Sequence, residues 1–161
     1  MAIIEEIFSD NEGNHLMVAL DFCDDIYKQI TLQIPEEFSD IEIVDISIEK
    51  VDISKPINPF VFFKMSSWLL LQFETYNNAI FTYICSTDEL ATNHLGVKPQ
   101  KYRWLLFDRL LERINCSDRL SCQDVIIGTD EYQTYGRAFY RDKHAPIIHI
   151  VTSHLEDKQN Q

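Results

Sequence analysis

Three groups of residues in this chain have types and spacings that could do chemistry. The first lies in the run IFTYICSTDEL, where Cys85 follows β-branched and aromatic residues and the acids Asp88 and Glu89 close the run. A nucleophilic thiol needs a base and an electropositive setting, and neighbouring carboxylates push its pKa the wrong way. Cys85 is therefore expected as a buried strand residue. Arg103 falls in the apolar arc of a later helix and is expected to lay its stem on that surface with its head in water; in the alternative, as a clamp or an anion receptor, Asp88 is its natural partner. The second group is Arg137, Arg141 and His144, a basic corner that with Asp88 and Arg103 could surround an anion or small ligand. The third is the acidic series Glu42, Asp45, Glu49 and Asp52, expected as one exposed negative stripe facing a partner.

Other combinations carry less. His144, His149 and His154 recur every five residues, which on a strand sends alternate ones to opposite faces, so no metal set is read from them. Cys116 and Cys122 lack zinc-knuckle spacing, and no further ligands lie near them. The sequence holds no GxSxG, GxxxxGK[ST], HExxH, GxGxxG or CxxC pattern. No metal and no cofactor are expected.

Charge narrows the classes of partner. The formal net charge is −12, and residues 1–50 hold thirteen acids against two lysines, a balance of −11. All six arginines lie beyond residue 97. An acidic field of this size argues against direct binding to nucleic acid or to an anionic membrane, and favours a basic protein partner. The most apolar stretch, residues 59–73, contains Lys64, Ser66, Ser67 and Gln72 and falls short of a membrane span. Four cysteines with no preceding secretory pattern fit reduced thiols in a cytoplasm.

The elements that must position these residues follow from periodicity. Residues 15–22 alternate cleanly, with Leu16, Val18, Leu20 and Phe22 on one face, and SDNEGN before them is turn chemistry. Residues 26–34 share a parity and are expected to complete a hairpin. Beyond Ile41 the apolar parity slips near Val44 and near Lys50, which predicts bulges. Residues 59–76 are apolar almost all round and predict a helix buried by the rest of the domain. Residues 100–114 predict a second, amphipathic helix. Residues 132–140 and 146–151 predict a C-terminal hairpin around RDKHA, with a frayed tail from residue 155. Together these predict a single α+β domain over residues 1–154, its mainly antiparallel sheet packed on the apolar helix.

Tyr83, Cys85, Asp88, Arg103, Leu106, Phe107 and Asp108 make a pattern that resembles, over roughly residues 60–152, a family of small bacterial proteins known as a domain of unknown function. The resemblance implies a bacterial, cytoplasmic protein and brings no activity with it. The functional expectation is a non-enzymatic interaction or regulatory module with an acidic N-terminal half. The alternative is a small enzyme or ligand binder with a pocket near Asp88, Arg103 and residues 137–144. A weaker alternative is an antitoxin, immunity or nucleic-acid-mimic protein.

Overall fold

A computed structural model of the chain describes residues 2–51, 60–85, 105, 108, 109, 112, 120–128 and 134–159. Expectations that fall on Asp52, Asp88, Arg103 and Cys116, and on most of the helix at 100–114, lie outside the described residues.

Strands β1 (Ile3–Ser9) and β2 (His15–Phe22) form an antiparallel hairpin, its register running from Ile3 opposite Asp21 to Ser9 opposite His15. Its turn is built by Asp10, whose carboxylate accepts the backbone N–H groups of Glu12 and Asn14, both at 2.9 Å. Gly13 supplies the left-handed residue that the turn requires, at φ +83°. Strand β3 (Glu42–Lys50) then pairs antiparallel with β2.

Helix α1 (Phe60–Thr75) carries the chain across one face of the sheet to β4 (Ala79–Ile84), which lies parallel to β3. Strands β5 (Ser121–Ile127) and β6 (Thr134–Tyr140) finish a six-stranded sheet of order β1-β2-β3-β4-β6-β5. A 3-10 turn, Asp142–Ile147, leads into α2 (Ile148–Gln159) on the opposite face. The product is a single α+β domain whose sheet is antiparallel apart from the β3–β4 pair. No helix among the described residues is long and apolar enough to cross a membrane.

Two cores result. Under α1, Phe62, Met65, Leu69 and Phe73 meet Leu16, Val18, Leu20, Phe81 and Phe139. The ring of Phe73 lies 4.5 Å from that of Phe81 and 5.4 Å from that of Phe139. Under α2, Ile147, Val151 and Leu155 meet Ile80, Ala138, Val125 and Ile127. The helix at α1 is less enclosed than its composition predicts: Phe60 is 73 % exposed and Leu71 57 %. One side of it packs on the sheet and the other meets solvent.

Three expected elements differ. Residues 26–34 are not a strand, because the Asp24 carboxylate accepts the Tyr27 N–H at 2.8 Å and starts a helical turn over Tyr27–Thr31. Lys28 is buried within it, its Nζ donating to the Ile41 carbonyl at 2.8 Å and pairing with Asp25 at 3.1 Å. The shared parity splits accordingly, leaving Ile26 and Ile30 outside and Leu32 and Ile34 inside.

The predicted bulges in β3 are absent, since its register with β2 and β4 is unbroken. Its parity slips because the strand is covered on both faces at its start, Ile43 facing the α2 side and Val44, Ile46 and Ile48 facing α1. Finally, residues 146–151 are not a strand. Ile147, Val151 and Leu155 recur at helical spacing, and Pro146 sits just before the helix, where its fixed φ is tolerated. The helix continues through Gln159 with Leu155 buried, in place of a tail frayed from residue 155.

Cavity energetics give a test of this layering. Phe62→Ala removes a fully buried ring and should lower the unfolding free energy by about 3–5 kcal/mol. Phe60→Ala, two residues earlier on the open side, should change it by only about 0.5 kcal/mol. Urea denaturation of both variants measures the contrast, and equal losses would contradict the placement of α1.

Candidate functional site

The described members of the predicted ligand site are held by interior partners. Strand β6 sends Tyr135, Arg137 and Phe139 toward α1, and the Arg137 side chain is only 6 % exposed. Its Nε donates to Asp124, directly across the β5–β6 ladder, at 2.7 Å, and its Nη1 pairs with the helical residue Asp108 at 2.8 Å. Burial pushes the Arg137 pKa down, but the Asp124 hydrogen bond and the charges of Asp124 and Asp108 outweigh it and hold the group above its ordinary value. Arg137 thus forms an arginine clamp of the kind considered for Arg103, which lies outside the described residues. Its signal in the sequence is an arginine sharing strand parity with two aromatic residues.

Arg141 Nη2 donates to the Phe73 carbonyl in the last turns of α1 at 2.6 Å. His144 is buried in the 3-10 turn at 1 % exposure, and its Nε2 meets Asn78 Oδ1 at 3.1 Å. Asn78 also donates to the Asp40 carbonyl at 3.2 Å, so it joins three segments. The expected solvated hairpin tip is an interior joint, because residues 142–147 coil into a turn beneath the sheet end.

The four-carboxylate stripe does not form. Alternation along β3 puts Glu42 on the α1 face and Asp45 and Glu49 on the other, while Asp52 lies outside the described residues. The ladder instead gathers a different acidic set. Asp21 lies opposite Asp45, Met17 opposite Glu49, and Glu5 opposite Ala19, all on the α2 side of the sheet. Helix α2 covers β4, β6 and β5 on that side and, with residues 27–34, the start of β3, leaving β1, β2 and the end of β3 uncovered. Ile3 is 54 % exposed there and Ile7 57 %. The uncovered half-face is therefore apolar at its edge and acidic along its length.

Two hollows adjoin it, and Cys23 lines both. One, of about 10 Å³, sits among Tyr27, Asp45, Thr82 and His154 under α2, with room for about one water. Thr82 donates to the Asp45 carboxylate, and Tyr27 hydrogen-bonds His154 Nε2. Burial, helped by the charges of Cys23 and Asp45, raises the Tyr27 pKa, so the phenol stays protonated. That cluster fastens α2 to the sheet, and its size admits no substrate.

The other hollow is an open cleft of about 400 Å³ on the α1 side of β1, where Ala2, Ile4, Phe22 and Tyr76 make an apolar floor. The carboxylates of Asp24, Asp25 and Glu42 rim it. Phe22 and Tyr76 meet edge to face at 4.9 Å. Nothing in the linear sequence marks this cleft, because it joins residues 2–4, 22–25, 42 and 76. Comparisons of the chain with protein-family models, curated proteins and solved structures find no match.

His144 supplies a test of the interior joint. Burial, reinforced by the charges of Lys143 and Arg141 and opposed by Asp40, lowers its pKa to about 4 from 6.5. The unfolded chain then binds more protons than the folded one between those values, so stability is full above about pH 6.5 and falls as pH drops toward 4. The loss should reach roughly 3 kcal/mol. Denaturation midpoints across that window should slope steeply for the native chain and much less for His144→Gln. An unchanged slope would contradict the buried neutral imidazole.

Proposed function

We propose that the domain is a non-enzymatic interaction module that receives a basic protein partner on the uncovered β1–β2–β3 half of its sheet. One observation carries this reading. On a face otherwise closed by α2, exposed Ile3 and Ile7 stand among Glu5, Asp21 and Glu49. Exposed apolar side chains gain from being covered, and carboxylates around them select a positively charged cover and speed its approach. The balance of −11 over residues 1–50 extends the same field beyond the face itself.

The ligand-binding alternative loses support, because Arg137, Arg141 and His144 each serve interior partners. A nucleic-acid mimic would want carboxylates spaced along one line, and Glu42 lies on the other face from Asp45 and Glu49. Cys23, Cys85 and Cys122 are not joined in disulfides, which supports a reducing, cytoplasmic setting.

Decalysine is a minimal basic probe. In 15N-resolved titrations at low salt, its shifts should concentrate on the odd-numbered residues of β1 and β3 and on Met17, Ala19 and Asp21. Glu5→Lys combined with Glu49→Lys should weaken binding by about tenfold, and added salt should weaken it further. Shifts spread evenly over the surface, or an unaffected double variant, would defeat the proposal.

A further inference from the structure

We infer that β1 is a strand-addition edge: an extended polypeptide with a short run of basic residues flanked by apolar ones pairs with its outer side and lays one basic side chain in the adjoining cleft. This rests on the reading of the acidic half-sheet as a docking site and specifies how the partner binds there.

The edge itself is the first argument. β1 ends the sheet order and is exposed or half-exposed at every position. An edge strand offers a row of unpaired N–H and C=O groups, which proteins usually blunt with lysine, proline, a bulge or a covering element. The sequence IIEEIFS has no lysine or proline, and its pairing with β2 is unbroken over seven residues. The opposite edge, β5, carries one carboxylate, Asp124, which is already committed to Arg137.

The side chains choose the occupant. Glu5 and Glu6 stand at the middle of the strand on opposite faces. In an antiparallel pairing of two copies, each of the three central registers sets Glu5 or Glu6 against Glu5 or Glu6. Like charges directly opposite destabilise a ladder, and each copy brings a further −12. A second copy is thereby disfavoured. Lysine or arginine in the added strand meets Glu5 on the uncovered face and Glu6 on the other, while its apolar residues cover Ile3 and Ile7.

The cleft supplies the anchor. Ala2 and Ile4 belong to the edge and also floor the cleft, so a side chain next to Ile4 on the α1 side enters it. There it finds the Phe22–Tyr76 pair and the carboxylates of Asp24, Asp25 and Glu42. Aromatic rings over an apolar floor with carboxylates at the rim suit a long aliphatic stem ending in a cation. Asp24 and Asp25 also hold the Tyr27–Thr31 turn, which leaves Glu42 as the carboxylate to alter.

The test uses the full 15N-labelled chain and an eight-residue peptide in which valines flank three consecutive central lysines. A control peptide is N-methylated at two consecutive central residues, which blocks both strand edges and keeps the charge. The unmethylated peptide should slow hydrogen exchange at the β1 amides that point away from β2 and shift the ring protons of Phe22 and Tyr76. It should bind about tenfold tighter than the methylated control, and Glu42→Gln should weaken it about threefold. Equal affinity of the two peptides, with shifts only on the uncovered face, would overturn strand addition and leave charge-directed docking standing. Tight binding with unmoved Phe22 and Tyr76 rings would overturn the cleft anchor. No binding of either peptide would overturn both proposals together.

Discussion

Between β3 and β4 the chain makes its only parallel pairing among the described residues, with Ile43 beside Ile80 and Ile46 beside Tyr83. Parallel neighbours cannot be joined by a tight turn, so the connection must leave the sheet, cross a face and return. Helix α1 lies in that crossing, and its position over β2, β3 and β4 follows from it. Once α1 occupies one face, the other must be covered by what remains, chiefly α2. A single helix is about 10 Å wide and a six-stranded sheet about 24 Å across, so one helix shields only two or three strands. The uncovered half of the sheet is thus a consequence of topology, and the acids that line it keep it soluble.

Because the second layer is thin, polar contacts carry much of its attachment. Tyr27 reaches His154, Thr82 reaches Asp45, Lys28 reaches the Ile41 carbonyl, and His144 reaches Asn78. They join the Tyr27–Thr31 turn to α2 and to the residue before β3, the 3-10 turn to the bend before β4, and β4 to β3. A hydrogen bond of this kind contributes only about 1 kcal/mol net, but leaving either partner buried and unmatched costs more, so the contacts specify where the segments lie. Arg137 plays the same part between β6, β5 and the helical Asp108.

Elements dominated by one period were legible from the sequence. β2 alternates without interruption, and α1 is too long and too apolar to be anything else, so both appear near their predicted bounds. Residues 26–34 misled because their alternation is also compatible with a helical turn, and the deciding group is the Asp24 carboxylate outside the run. The segment after Pro146 misled because β-branched isoleucines and valine suit strands, while the 147, 151, 155 spacing that buries them is helical. The site was less legible than the fold. Of the residues that line the cleft or face the uncovered half-sheet, Glu42, Asp45 and Glu49 were singled out as a stripe, and strand parity divides them between faces. The cleft needs residues 2, 22, 42 and 76 together, a juxtaposition only the strand order reveals.

The distribution of charge then acquires a reason that solubility alone does not supply. A protein kept dispersed by net charge could carry its carboxylates anywhere, yet here the arginines all lie beyond residue 97, and of those described Arg137 and Arg141 are engaged by Asp108, Asp124 and the Phe73 carbonyl while Arg109 is exposed. The acids cluster on the strands that topology leaves bare. A bare edge and half-face are a hazard in any β-sheet, because they can pair with the next copy of the same chain. On the proposed strand addition, negative charge at that edge would repel the copy while attracting a cationic strand, so one arrangement would both oppose self-association and select the partner. Neutralising Glu5 and Glu6 would then remove both effects at once, since the proposal assigns them to the same two carboxylates.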